Sequence, residues 1–364
     1  MTANYLNISA KAVARAYFDQ GLNRVQLFSL SHSPAQTDTL DTQRIPRASK
    51  FMSKANRKPL TSFWAPRYWP TWLGISLLRL SCLLPFKWQI RIGKAIGRLG
   101  HRIAGQRRAI TRRNIELCFP ELSPAERDHL ALEHFEALGA SLMELALGRW
   151  ASHQKMQRLT TIHGIEHVTK AIETGKSVIL LSAHFTTLEI SGRAFSQHIP
   201  AFDFVYRPLS NQLLTELVVG GREVSGRRAI EKHDIKSMVR SLREGTPVWY
   251  AADQAYYLKQ SALIPFFGIP AMTTTATTAL AKLGSAIAVP FFSRRLKEGG
   301  YVLDILPPLE GVPSDDPAGD AAKYHAVLEE QIRKCPEQYY WVHRRFKNRP
   351  DPLPDVYTDL DSLK

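Results

Sequence analysis

The stretch Ser177-Val-Ile-Leu-Leu-Ser-Ala183 constrains this chain more than any other. It is apolar almost without interruption and carries β-branched residues, so it reads as a strand buried on both faces, which requires a sheet covered by helices. His184 follows where that strand should end. In open α/β sheets, ligands and catalytic groups gather at the carboxyl ends of the strands, so the histidine stands where chemistry is usually done. Glu189 completes the spacing H-x4-E. Five residues of ideal helix turn through about 500°, which leaves the two side chains roughly 140° apart. They meet only if His184 lies on the loop or first turn and Glu189 on the helix proper. In that arrangement Glu189 would accept a hydrogen bond from one imidazole nitrogen, fix the tautomer and leave the other nitrogen as a general base. The other reading is a strand-end histidine and a helix-surface glutamate that never touch.

From Thr160 to about Pro350 short apolar runs alternate with helical stretches, the pattern of an α/β domain. Strands are expected at Ser177–Ala183, Phe202–Tyr206, Pro247–Ala252, Ala286–Phe292 and Tyr301–Ile305, with helices between them. Gly175-Lys176-Ser177 precedes a strand instead of following one, so it reads as a turn and not a phosphate loop. His163 and His167 have i, i+4 spacing, but Gly164 interrupts the helix that would align them, and no third metal ligand is suggested. No G-x-S-x-G elbow supplies a hydrolase serine. Neither a metal nor a cofactor is expected.

The charge balance says more about partners. With 48 Lys and Arg against 33 Asp and Glu the chain carries +15, which calls for anionic partners. No helix-turn-helix, zinc finger or aromatic RNP motif accompanies the charge, so nucleic acid is not expected. Cys82, Cys118 and Cys335 form no CxxC and no disulfide framework, which favours a reducing compartment. The segment Trp69–Phe86 is apolar, with Trp64, Tyr68, Trp69, Trp72 and Trp88 as interfacial aromatics. Pro70 and Pro85 limit its helix to roughly 14 residues and Arg79 sits near its middle, which favours a helix lying in one leaflet over one that crosses. An ordinary amphipathic helix on a soluble core is the other reading. Arg91–Arg113 then sets basic residues at helical spacing among Ile, Leu and Ala, as suits an anionic lipid surface. Asn114–Pro120 and Ser123–Trp150 read as helices, with Ser123 as N-cap and Pro124 at N1. Four regions result: an extension over 1–58, with a short helix around Ala10–Phe28, a disordered Ser29–Lys50 and an alternative start at Met52; a membrane-associating helical region over 59–150; a catalytic α/β domain over 151–350; and a tail over 351–364.

The motifs Arg112-Arg-Asn-Ile-Glu-Leu-Cys-Phe-Pro120, His184-Phe-Thr-Thr-Leu-Glu189, Tyr206-Arg-Pro208, Gly221-Arg222, Val248-Trp-Tyr-Ala-Ala-Asp-Gln254, Pro265-Phe-Phe-Gly268, Val289-Pro-Phe291 and Pro336-Glu-Gln-Tyr-Tyr-Trp-Val-His-Arg-Arg-Phe-Lys347 occur in an order that closely resembles the late acyltransferases of lipid A biosynthesis, over roughly Phe63–Pro350. The resemblance implies a mixed sheet flanked by helices, similar to glycerolipid acyltransferases, in an enzyme of the bacterial inner membrane working at its cytoplasmic face. It implies transfer of a fatty acyl chain from acyl carrier protein to a hydroxyl of a Kdo-bearing lipid A precursor, with anionic membrane lipids as further partners. His184 would be the base and Glu189 its orienting group. Arg222 would stabilise negative charge or hold a phosphate, and Asp253 would position Arg222 or the acceptor. Arg207, Arg344, Arg345 and Lys347 would bind phosphates or sugar carboxylates. Two departures from the family pattern are Ala252 before the aspartate, where Pro is common, and Tyr256-Tyr257, where Tyr-Gly is frequent. Another glycolipid or a glycerophospholipid is the alternative acceptor, and a scaffold without catalysis the alternative role.

Overall fold

Every residue of β2 (Ser177–Ser182) is buried, because parallel neighbours flank it on both edges and helices cover both faces. The computed structural model describes residues 58–363 except 200 and 257–259, with side chains placed as far as 360. The helix expected at Ala10–Phe28, the Ser29–Lys50 segment and the Met52 start lie outside the described residues.

The seven-stranded sheet has the order β1-β9-β8-β2-β5-β3-β4. Its strands are β1 (Thr160–His163), β2, β3 (Asp203–Tyr206), β4 (Arg228–Glu231), β5 (Val248–Ala251), β8 (Ala286–Arg295) and β9 (Tyr301–Ile305). β8, β2, β5, β3 and β4 run parallel, whereas β9 runs antiparallel to β8 and pairs in parallel with β1. All five strands expected from the apolar runs are present. The expectation of a helix between each pair fails once: β8 and β9 are joined by a tight turn in which Gly299 and Gly300 take positive φ and the Leu296 N–H donates to the Gly300 carbonyl. β4 escapes a hydropathy reading because it carries no apolar run. Its place is fixed by charge instead, since Arg227 and Arg228 both pair with Asp203, buried at the start of β3. A separate hairpin, β6 (Ser261–Phe266) and β7 (Ile269–Thr274), turns through Phe267 and Gly268, both at positive φ, as a two-residue loop demands.

Eleven described helices, α1 (Trp69–Ser81), α2 (Phe86–Ile103), α3 (Gly105–Cys118), α4 (Pro124–Trp150), α5 (His153–Leu159), α6 (Glu166–Glu173), α7 (Leu188–Phe195), α8 (Gln212–Arg222), α9 (Ile235–Arg243), α10 (Ala276–Gly284) and α11 (Pro317–Lys334), surround the sheets. Strand alternation divides the core. Val178 and Leu180 pack with Val168 of α6 and Phe195 of α7, while Ile179 and Leu181 pack with Met238, Leu280 and Leu328 of α9, α10 and α11. α4 begins as its sequence dictates. The Ser123 hydroxyl accepts from the Glu126 N–H at 3.3 Å, and the Glu126 carboxylate accepts from the Ser123 N–H at 2.8 Å. The segment after residue 350 is packed down, with the Tyr357 ring buried and its hydroxyl donating to Asn114 of α3.

α2 joins this body through glycine. A Cβ on Gly97 would lie 2.0 Å from the Phe135 carbonyl oxygen, and one on Gly139 would lie 2.0 Å from the Gly93 carbonyl oxygen, so the α2 and α4 backbones touch. Most of the apolar side chains of α2 therefore face outward, with Phe86 packing back on Tyr301. Trp88, Ile92, Ile96, Leu99 and Ile103 form one exposed stripe, Ile103 being 75% exposed. On α1, Trp69, Leu73, Leu77 and Leu80 repeat the spacing, with Leu73 63% exposed. Among the described residues no helix is long and apolar enough to cross a membrane.

Candidate active site

Two parallel strands deliver the central pair. Ser182 of β2 lies opposite Ala251 of β5. Two residues further along each strand, His184 and Asp253 face one another across the carboxyl edge of the sheet. The His184 N–H donates to Asp253 Oδ2 at 3.1 Å, and Nδ1 lies 2.6 Å from Oδ1. Asp253 is only 1% exposed. Burial alone would push its carboxyl up, but the His184 ring and its hydrogen bonds outweigh that and hold it down at about 2. An ionised carboxylate can only accept, so Nδ1 carries the proton and Nε2 is the acceptor nitrogen. The His184 backbone is pinned as well. Its carbonyl accepts from the Tyr340 N–H at 3.0 Å, and the Thr186 N–H donates to the Gln338 carbonyl at 2.8 Å.

Glu189 does not orient His184, which corrects the expectation drawn from their spacing. α7 starts only at Leu188, and Glu189 sits in its first turn, aimed at the last residue of α8. There Arg222 grips it: Nη2 lies 2.7 Å from Oε1, and Nε lies 3.1 and 3.2 Å from the two oxygens. The Arg222 guanidinium carbon stands 5.4 Å from the Trp249 ring centroid and 5.7 Å from that of Phe204. The expected positioning of Arg222 by Asp253 is thereby corrected too. The four residues are in one region, but as His184–Asp253 and Glu189–Arg222.

Both pairs meet a groove of about 200 Å³ in which His184 and Arg222 line the wall together with Leu188, Val205, Val219 and Trp249. Arg207 is exposed at its rim. Arg345 is not a surface ligand for phosphate. It is 2% exposed, donates to the Met272 carbonyl and the Thr273 hydroxyl, and lies 5.0 Å over the Phe266 ring. Arg344 stands 5.5 Å over the Tyr357 ring, and Lys347 is half-buried beside His343. Sequence reasoning missed His343, which borders His184 and Asp253 and whose Nε2 accepts from the Ala255 N–H at 3.4 Å. Burial, and then the Lys347 charge, push it down to about 4. Its signal is the motif Pro336–Lys347 itself, in which the histidine stands beside Arg344 and Arg345. His163 meets Asp304 at 3.0 Å on the surface. Among the described residues no three His, Cys, Asp or Glu gather as metal ligands.

Chemically, the arrangement offers an imidazole braced by a buried carboxylate beside an apolar groove with a fixed guanidinium on its wall. The family model for the bacterial lipid A biosynthesis acyltransferase matches residues 57–348. The lipid A biosynthesis lauroyltransferase of Escherichia coli K12 is 40% identical over 299 residues, 82% of this chain and 97% of that protein. The palmitoleoyltransferase of the same organism is 35% identical over 79% of this chain and 94% of its own length, and the myristoyltransferase 27% identical over 79% and 90%. The chain belongs to the bacterial lipid A biosynthesis acyltransferases and is an acyltransferase.

Proposed function

We propose that the protein transfers a fatty acyl chain from an acyl carrier protein thioester to a hydroxyl of a Kdo-bearing lipid A precursor, with His184 as general base oriented by Asp253. The observation that carries this reading is the 2.6 Å contact of His184 Nδ1 with a buried, ionised Asp253 beside an apolar groove. An alcohol is a weak nucleophile at neutral pH. His184 Nε2 takes its proton as the oxygen attacks the thioester carbonyl, and the imidazolium returns that proton to the departing thiolate sulfur. The sulfur–carbon bond breaks as the ester bond forms, and no acyl-enzyme intervenes. Asp253 stabilises the imidazolium. Arg222, held by Glu189, adds positive charge on the groove wall where the carbonyl oxygen becomes negative. Arg207 at the rim suits a phosphate of either substrate.

Attachment to the inner membrane, with the site on the cytoplasmic side, belongs to the same proposal. At about 1.5 Å per residue, the 13 residues of α1 reach about 20 Å, short of the roughly 30 Å of hydrocarbon, so its exposed stripe suits a helix lying in the interface. Arg91, Lys94, Arg98 and Arg102 alternate with the stripe of α2, as anionic headgroups favour. The test is acyl transfer by the purified protein in vesicles from lauroyl, myristoyl or palmitoyl carrier protein to a Kdo-bearing tetra-acylated precursor, read by mass spectrometry. One added acyl chain is expected. A precursor left unchanged by every donor would refute the reading.

A further inference from the structure

His184 lies beyond the end of its strand. β2 stops at Ser182, and the Phe185 N–H donates to the Ala183 carbonyl at 2.9 Å, which closes a three-residue turn with His184 at its centre. Such a turn has no ladder of its own and takes its position from its neighbours. One neighbour is the segment Pro336–Trp341, which pairs with it in antiparallel fashion at Phe185 and Tyr339. The bonds from the Tyr340 N–H to the His184 carbonyl and from the Thr186 N–H to the Gln338 carbonyl are the two hydrogen bonds of that pairing. The ends of the segment are held by other groups: Trp341 Nε1–H donates to the Pro336 carbonyl at 2.7 Å, and the Asn114 amide donates to the Trp341 carbonyl at 2.6 Å.

Gln338 ties the middle of the segment to the sheet. The last registered pair between β2 and β8 is Leu181 with Pro290, so β8 runs on to Arg295 without that neighbour. Side chains take its backbone groups instead. The Thr187 hydroxyl donates to the Ser293 carbonyl at 2.9 Å. Gln338, only 3% exposed, accepts from the Arg295 N–H through Oε1 at 2.7 Å and donates to the Arg295 carbonyl through Nε2 at 3.0 Å. Nε2 also donates to Glu337 Oε1 at 2.7 Å. A primary amide can serve both the N–H and the carbonyl of one residue, as a strand partner would. Arg295 is itself fixed, since its guanidinium meets the buried Glu144 of α4 at 2.6 and 2.9 Å. We infer that Gln338 is a positioning residue for acyl transfer: it carries the position of β8 to the His184 turn and so sets where the imidazole stands against the groove. The inference rests on the reading of His184 as the base and adds what holds it in place.

The test measures kcat and KM for the purified full-length enzyme in vesicles, wild type and Gln338→Met, with whichever of lauroyl, myristoyl or palmitoyl carrier protein it uses and a Kdo-bearing tetra-acylated acceptor. Methionine fills the space and leaves the Thr186 bond, which the backbone makes, but it cannot hold Arg295. kcat should fall by about 10- to 100-fold with both KM values little changed, since a reacting group misplaced by about 1 Å can cost about 10²-fold. In the His184→Ala background the same substitution should cost no further rate, because a group that acts through the imidazole has nothing left to place. Gln338→Asn, whose amide falls one methylene short of Arg295, should move kcat the same way by less, and it decides the matter if Gln338→Met does not fold. Gln197→Met, which loses only a 3.4 Å bond to the His153 carbonyl, should leave kcat unchanged. A folded Gln338 variant with the wild-type kcat, a loss confined to KM, or an equal loss in the His184→Ala background overturns the inference while leaving acyl transfer intact. Failure of the wild type to use any donor would sink the acyl-transfer reading itself.

Discussion

The two sides of the groove hold a carboxylate in opposite ways. On the sheet side, Asp253 is sealed beneath His184 and meets the groove only through the imidazole. On the helix side, Glu189 is half-buried and spends its oxygens on Arg222. Their sequence distances invert what the fold does: Glu189 lies five residues from His184 and is not its partner, while Asp253 lies 69 away and is. Parallel pairing explains this. Two strands in register bring their carboxyl ends together whatever the length of chain between them, whereas a helix started after His184 carries Glu189 off on its own axis.

The comparison is broken most directly at His184. His184→Ala should slow single-turnover acyl transfer by about 10²–10⁴-fold, and adding Asp253→Asn should cost little more, because the carboxylate acts through the ring. Full additivity of the two losses would separate Asp253 from His184. The helix side is predicted to fail differently. Glu189→Gln strands the Arg222 charge, and breaking such a half-buried pair costs on the order of 2–5 kcal/mol. Glu189→Gln and Arg222→Gln should then be strongly non-additive with each other and additive with Asp253→Asn. Coupling of Glu189 to Asp253 in a double-mutant cycle would merge the two sides into one network.

Acid sharpens the contrast between charge kept and charge kept out. Burial pushes His134 and His343 down to about 4 and His325 to about 3, from an ordinary value of 6.5. Between those values the unfolded chain binds protons that the folded one refuses, so stability falls as pH falls below 6.5, by about 1.4 kcal/mol per pH unit per histidine. Asp253 acts lower: held at about 2 against 3.8, it gives stability that is present above 3.8 and lost as pH falls toward 2. Thermal melts from neutrality to pH 4 should show the histidine slope, and a flat midpoint across that interval would contradict it. The smallest effect is expected outside the sheet. Replacing Leu73, Leu77 and Leu80 by Ser should leave only the basic residues of α2, each worth about 1 kcal/mol near an anionic surface, and so make the protein extractable from membranes by salt. Clean release of the unaltered protein by salt would mean that charge alone holds it.

Much of the fold was legible because β2, β5, β8 and β9 are apolar enough to announce themselves, and Ser123-Pro124 marks the start of α4. β1 and β4 were not, since four residues of mixed polarity carry no periodic signal and owe their pairing to neighbours such as the Asp203–Arg228 contact. Within the site, the identities of His184, Glu189, Arg222 and Asp253 were readable and their pairing was not. Spacing along a chain reports reach within one element, whereas the 2.6 Å contact of His184 is made between elements. Arg345 misled for a related reason: an arginine in a basic cluster looks exposed until the Phe266 ring and the Met272 carbonyl are found around it.

The glycine seam between α2 and α4 has a mechanical consequence. Side-chain contacts between helices give under load because rotamers rearrange, but a contact in which Gly97 and Gly139 admit no Cβ is a hard stop. With its outward stripe sunk in a lipid surface, α2 would act as a datum: the height of α4, and of the first turn of α7 whose Glu189 backbone packs on Gly148, would be fixed relative to that surface to within the stiffness of the backbones. A lipid hydroxyl would then arrive at His184 at one depth, set by backbone geometry.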